Sequence, residues 1–198
     1  MSASSSNAGF LPPSASPLTR AQIEDALHDA VVGITGLAGS MVRPRWQPAP
    51  PKQPEASVNW CSIGITTRTR TGLPAMVHQD TDDGGQDVAL SWVALEVQAS
   101  FYGLDADDLA DRLAQGLAVG QNRDGLRAAG LALQEVGQAV AVPELINNAW
   151  VMRVDLPLAF GFEARRTYPV RNLLCGPAVI ESDTGLIVQT APMTEEGI

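Results

Sequence analysis

The acidic turn DTDDGGQD, residues 80–87, carries the residue types that could hold a divalent cation. Asp82-Asp83-Gly84-Gly85 looks like the opening of a calcium loop, but the remaining spaced oxygen ligands and the closing glutamate are missing, so the spacing favours a solvated turn. Asp107, Asp108 and Asp111 could pair for acid–base work. Their place early in an amphipathic segment gives them a different role, at the positive end of a helix dipole. His28 and His78 have no neighbouring ligand or nucleophile pattern and read as surface or structural groups. Cys61 and Cys175 lack CxxC or Cys/His spacing and read as reduced cytosolic thiols packed as small apolar groups. No phosphate-binding loop, dinucleotide fingerprint or nucleophile elbow occurs. The sequence therefore assigns no catalytic, cofactor-binding or metal residue and reads as a non-enzyme without a cofactor. A small metal-dependent hydrolase using Asp82, Asp83 and Asp87 is the weakest alternative.

Other residue types are placed for contact rather than chemistry. MVRPRWQPAPPKQP puts five prolines into the twelve residues from Arg43 to Pro54, behind two arginines and a tryptophan. Prolines exclude a helix and disfavour a central strand, so residues 48–55 read as a stiff extended loop that loses little entropy on docking. Arg43, Arg45 and Trp46 at its base are candidates for contact with a neighbouring subunit, with Trp46 as a core anchor equally open. Arg165, Arg166 and Arg171 form a second basic group, and Trp92 lies on a strand face that turns apolar at its start. From Asp80 to Asp111 there are nine acidic residues and no lysine or arginine. Asp80, Asp82, Asp83 and Asp87 could face a basic surface such as the arginine strand on a neighbouring subunit.

The elements that must hold these residues follow from hydrophobic period. Thr19 and Gln22 have capping-box spacing ahead of Ile23, Leu27, Val31 and Ile34, which predicts a helix over about 20–34, stopped by Gly36 and Gly39. Met41–Trp46, residues 58–68 and 75–80 read as strands, the last two separated by a Gly72-Leu73-Pro74 turn. VALSWVALEVQASFYG gives the longest strand signal, with Val93, Leu95, Val97, Ala99 and Phe101 on one face. Asp105 is expected to cap the next helix, and NRDGLRAAG to form a short helical piece. LALQEVGQAVAV reads as one strand, with a loop from Pro143. WVMRVDLPLAF alternates, with Trp150, Met152, Val154, Leu156, Leu158 and Phe160 on one face and Arg153 and Asp155 on the other; GFEARRTYPV continues it. A short strand is expected near Leu186–Gln189. This order predicts an α+β fold: a largely antiparallel sheet packed against two helix groups, with a proline-rich loop and extended terminal arms. The domain is expected over residues 18–170, between a flexible N-terminal arm, 1–17, and a C-terminal arm, 171–198.

A formal charge of −9 over 198 residues excludes general attraction to nucleic acid or anionic membrane. No stretch is long and apolar enough for a membrane span, and MSASSSNAGFLPPSASP lacks the regions of a signal peptide.

Taken together, GITGLAGSMVRPRWQPAPP, NWCSIGI, FYGLDADDLADRLAQGL, QNRDGL, WVMRVD and RRTYPVRNLL resemble the phage neck or tail terminator family, in family order from about residue 31 to 174. The resemblance implies a ring of subunits, usually six, seated on the last ring of the tail tube. It implies as partners further copies of the chain, the tail tube protein, a head-completion or stopper protein and, as a further candidate, a sheath protein. DNA would pass through the channel without specific binding, and in such a ring Asp80, Asp82, Asp83 and Asp87 could instead line the channel and repel it. The expected location is the neck of the virion, after assembly in the host cytoplasm. A head-completion protein on the portal side is the alternative. If the arginine strand pairs across subunits, Arg165→Glu with Arg166→Glu should block ring formation.

Overall fold

In the computed structural model the described residues are 9–14, 17–81, 84–146, 148–172, 180–182 and 185–187. The chain runs through α1 (Arg20–Thr35), β1 (Val42–Pro44), β2 (Trp60–Arg70), β3 (Ala75–Thr81), β4 (Gly84–Tyr102), α2 (Ala106–Ala118), α3 (Asp124–Ala128), β5 (Ala132–Val136), β6 (Val140–Ala141), β7 (Glu144–Ile146), β8 (Ala149–Val151), β9 (Arg153–Val170), β10 (Ile180–Ser182) and β11 (Gly185–Ile187).

Helix α1 begins where its capping box predicts. The Thr19 hydroxyl accepts from the Gln22 N–H and the Gln22 side chain accepts from the Thr19 N–H. It ends at Gly36, whose left-handed φ of 77° lets its N–H close on the Val32 carbonyl. Helices α1 and α2 pack on one side of the main sheet, ordered β1-β2-β4-β9-β5, with β3 also on β4 and β6 also on β9. Ile23, Leu27 and Val31 of α1, Leu109, Leu113 and Leu117 of α2, and Leu126 of α3 meet Cys61 and Ile63, the odd-numbered face Val93–Phe101 of β4, and Val154–Phe162 of β9. The fold is α+β as expected: apart from the parallel β1–β2 pair, every strand pair is antiparallel among the described residues.

Burial pushes the Cys61 thiol far above its ordinary pKa, so it stays protonated and inert. In a Cys175→Ser background, iodoacetamide at pH 8 is expected to leave the native protein unmodified over an hour and to alkylate Cys61 completely in urea. Modification of the native protein at the rate seen in urea would contradict this burial. Cys175 lies outside the described residues.

Several elements differ from the sequence reading. Gly72-Leu73-Pro74 does not reverse the chain. Both β2 and β3 are antiparallel to β4, with Arg70 opposite Val93 and Ala75 opposite Leu90, so they follow one another along the same edge and residues 71–74 are a jog between them. The acidic turn is shorter than expected, because strand pairing runs on to Thr81 opposite Gly84. Asp105 stands at the N-cap of α2 without capping it; its carboxylate accepts instead from the Asn59 side chain at 2.7 Å, and its N–H donates back to Asn59. Residues 131–142 form two strands, and a small hairpin, β7–β8, replaces the loop at Pro143. The alternation of WVMRVDLPLAF slips at Met152. Val151 is buried while Trp150 and Met152 are 66% and 45% exposed, and the buried row resumes at Val154. The expected C-terminal strand is Gly185–Ile187, paired with Ile180–Ser182; Gln189 lies outside the described residues.

Candidate assembly surfaces

Cross-strand register decides which residues share the sheet face turned away from the helices. Val42 pairs with Cys61 on the helix side, so Arg43, opposite Ser62, falls on the open side with Trp60, Tyr102, Ser100, Arg153 and Asp155. Trp60 and Tyr102 stack there at 4.2 Å and 6°, with Arg43 over the tryptophan at 5.5 Å and Arg153 over the tyrosine at 5.7 Å. The Arg153 guanidinium donates twice to Asp155, at 2.8 Å each, and once to Glu144 of β7. Arg45 donates to the buried Ser100 hydroxyl at 3.0 Å, and Ser100 is in turn hydrogen-bonded to Asp155. A single polar chain thus crosses the face from the loop after β1 to the β7 hairpin.

Burial opposes ionisation of Asp155, but the Arg153 and Ser100 hydrogen bonds and the charges of Arg153 and Arg45 outweigh it and hold the carboxyl below its ordinary range. A depressed carboxyl stabilises the fold above its unfolded pKa, roughly 3.9, and that contribution is lost as pH falls through the lower folded value. The midpoint of thermal unfolding is therefore expected to drop below about pH 4, more steeply in the wild type than in Asp155→Asn; equal slopes would dismiss this role.

These contacts also anchor the proline loop. Arg43 donates to the Lys52 carbonyl at 3.1 Å, and the Trp46 indole N–H donates to the Ile65 carbonyl at 3.1 Å. Arg45 lies over the Trp46 ring at 5.5 Å, and the ring remains 57% exposed. Arg43 and Arg45 thus turn inward onto the sheet, and Trp46 is pinned at the loop base with an open face.

Beyond Val93 and Ala164, where the core cluster ends, β3, the first half of β4 and the last third of β9 continue as a three-stranded ribbon about 25 Å long. Asp80, Asp87, Arg166, Tyr168 and His78 occupy its helix-side face, with Val77, Trp92 and Arg165 opposite. His78 joins the Asp87 carboxylate at 2.8 Å and the Asn172 carbonyl at 3.1 Å, and the Asn172 amide donates to Asp80. The Asp87 hydrogen bond leads the effects that raise the His78 pKa. Arg165 pairs with Glu163 at 3.3 Å, whereas Arg166 has no hydrogen-bond or ionic partner among the described residues. Trp92 lies over Gly161, where an added Cβ would come within 2.3 Å of the ring. Arg171 is exposed just past β9. Asp82 and Asp83 lie outside the described residues. Asp80, Asp87, Arg165 and Arg166 therefore share one ribbon, while Arg43 and Arg45 belong to the face network.

Sequence reading missed Trp60, Tyr102, Ser100, Arg153, Asp155 and Glu144 as a unit. The Arg153–Asp155 spacing of two on a strand was its only signal. It also missed the exposed hairpin at the opposite end from the ribbon tip, where Leu145 and Trp150 are cross-strand partners and both are exposed beside Met152.

A family profile described as phage neck terminator protein matches residues 21–184, from α1 to the chain beyond β10. The chain belongs to that family. As a neck terminator family member it is a structural protein of the phage neck and a component of the virion. A search of curated proteins found no match. In this family member, no described helix is long and apolar enough to cross a membrane, and no group of three or more His, Cys, Asp or Glu among the described residues could hold a metal.

Proposed function

We propose that the chain assembles head-to-tail into a closed ring of six at the neck, caps the tail tube and joins it to the head-completion protein, leaving a channel for DNA. The observation that supports this is the contrast between the two ends of the sheet. One carries the charged ribbon and the other the exposed Leu145–Trp150 hairpin, and unlike surfaces on one protomer favour heterologous contacts, which close into rings. An excess of acidic charge suits a channel through which DNA slides without sticking. Negative-stain imaging of the protein with tail tubes tests the reading; persistent monomers beside assembled tubes would sink it.

The hairpin is the candidate tube-facing surface. Trp150→Asp removes an exposed aromatic anchor and is expected to weaken tube capture at least tenfold while leaving thermal unfolding unchanged. Undiminished capture would move the tube contact elsewhere. A head-completion protein on the portal side is the second reading; capture of the portal-side adaptor but not of the tube in a pull-down would favour it, and the unlike ends serve that role equally.

A further inference from the structure

The ribbon has two unfilled sides. Along one runs β3, seven residues paired with β4 alone among the described residues, exposed from Ala75 to Asp80 and free of lysine, arginine and proline. Met76 and Val77 are exposed on it. A strand of this length with an open edge and no lysine, arginine or proline along it is a template for another strand. Along the other side runs β9 past Gly161, the last residue to face β5. Among the described residues, the one backbone hydrogen bond to this stretch from outside the sheet comes from Ser14, whose N–H and hydroxyl both donate to the Thr167 carbonyl.

We propose that β3 of one protomer pairs edge to edge with the outer part of β9 of the next, displacing the N-terminal segment that Ser14 holds there. The occupant is a second copy of this chain, for three reasons. The free lengths are similar, at seven residues of β3 against residues 162–170 of β9 past its pairing with β5. Both strands are antiparallel to β4 and so run in the same direction; a repeated rotation about an axis along them brings one beside the other as a parallel pair. The charges are complementary: Arg166, without a partner among the described residues, lies on the same face as Asp80 and Asp87, so the row Arg166–Tyr168 of one protomer meets the row His78–Asp80 of its neighbour. Ser14 is a placeholder that covers the β9 edge in the isolated chain. Pairing rests on the ring reading and specifies which strands make the ring.

The test uses the full chain in a Cys175→Ser background with two cysteine pairs, Gln79→Cys with Thr167→Cys and Val77→Cys with Thr167→Cys, which sample registers two residues apart on one face. Mixed with tail tubes and mildly oxidised, at least one pair should give a ladder of covalent multimers that ends at the ring size, while single-cysteine variants stop at dimers. Rings visible by imaging without a ladder from either pair overturn the strand pairing and leave the ring standing. No rings in the wild type overturn both. Deleting residues 1–14 should speed ring formation on tubes severalfold; slower formation would overturn the placeholder role.

Discussion

Replacing Arg153 with alanine lowers the midpoint of thermal unfolding by roughly 6–12 °C, the shift that about 3 kcal/mol produces in a chain of this size. The side chains of Arg153 and Asp155 are only 17% and 15% exposed, so removing the guanidinium strands the carboxylate in a poorly hydrated place. The same change leaves Glu144, on β7, without its partner and takes the cation from the Tyr102 ring. An exposed ion pair is worth less than about 1 kcal/mol, and the larger loss expected here comes from the uncompensated charge. A double variant, Arg153→Met with Asp155→Leu, should recover much of the loss, because it removes both charges and keeps volume. A calorimetric scan decides between these outcomes: a shift under about 2 °C for Arg153→Ala would mean that water reaches the network freely.

Arg166→Glu should abolish ring formation on tubes while changing stability by less than about 0.5 kcal/mol. Arg166 has no described partner to lose, so reversing its charge disturbs little inside the protomer. Across a subunit contact it would face the acidic row of the ribbon, a like-charge juxtaposition that costs several kcal/mol and recurs at each interface. Arg165→Glu should act more weakly, because Arg165 lies on the other face and already pairs with Glu163. Imaging at matched concentration separates the two: full ring yield from Arg166→Glu would reject an ionic contact at this position.

Much of the fold was legible in local pattern. Thr19 and Gln22 announced α1, and the odd-numbered row of β4 announced the buried face, because both depend on residues close in sequence. The jog at residues 71–74 was not legible. Glycine and proline signal a break in pairing whether the chain then reverses or continues, and only the strand beside it decides which. Asp105 satisfied the rule for a cap, but Asn59, far away in sequence, took its carboxylate. The inward turn of Arg43 and Arg45 follows from a three-residue parallel register with β2, for which the sequence carries no mark. Trp150 failed for a related reason: one residue of slip at Met152 took it off the face it was expected to share with Val154, Leu156, Leu158 and Phe160.

The pairing of β4 with β9 runs without a break from Gly85 opposite Val170 to Tyr102 opposite Arg153. Every one of these partners is more than 50 residues from its mate in sequence. During synthesis, then, the centre of the sheet cannot close until β9 has left the ribosome, and α1, β2, β3 and β4 must wait with their apolar rows uncovered. Contacts of such long range fold slowly and leave strand edges open to wrong partners in the interval. Strand β9 is made after every other strand of the main sheet, which gives the nascent chain a period of vulnerability to aggregation that the finished sheet no longer has.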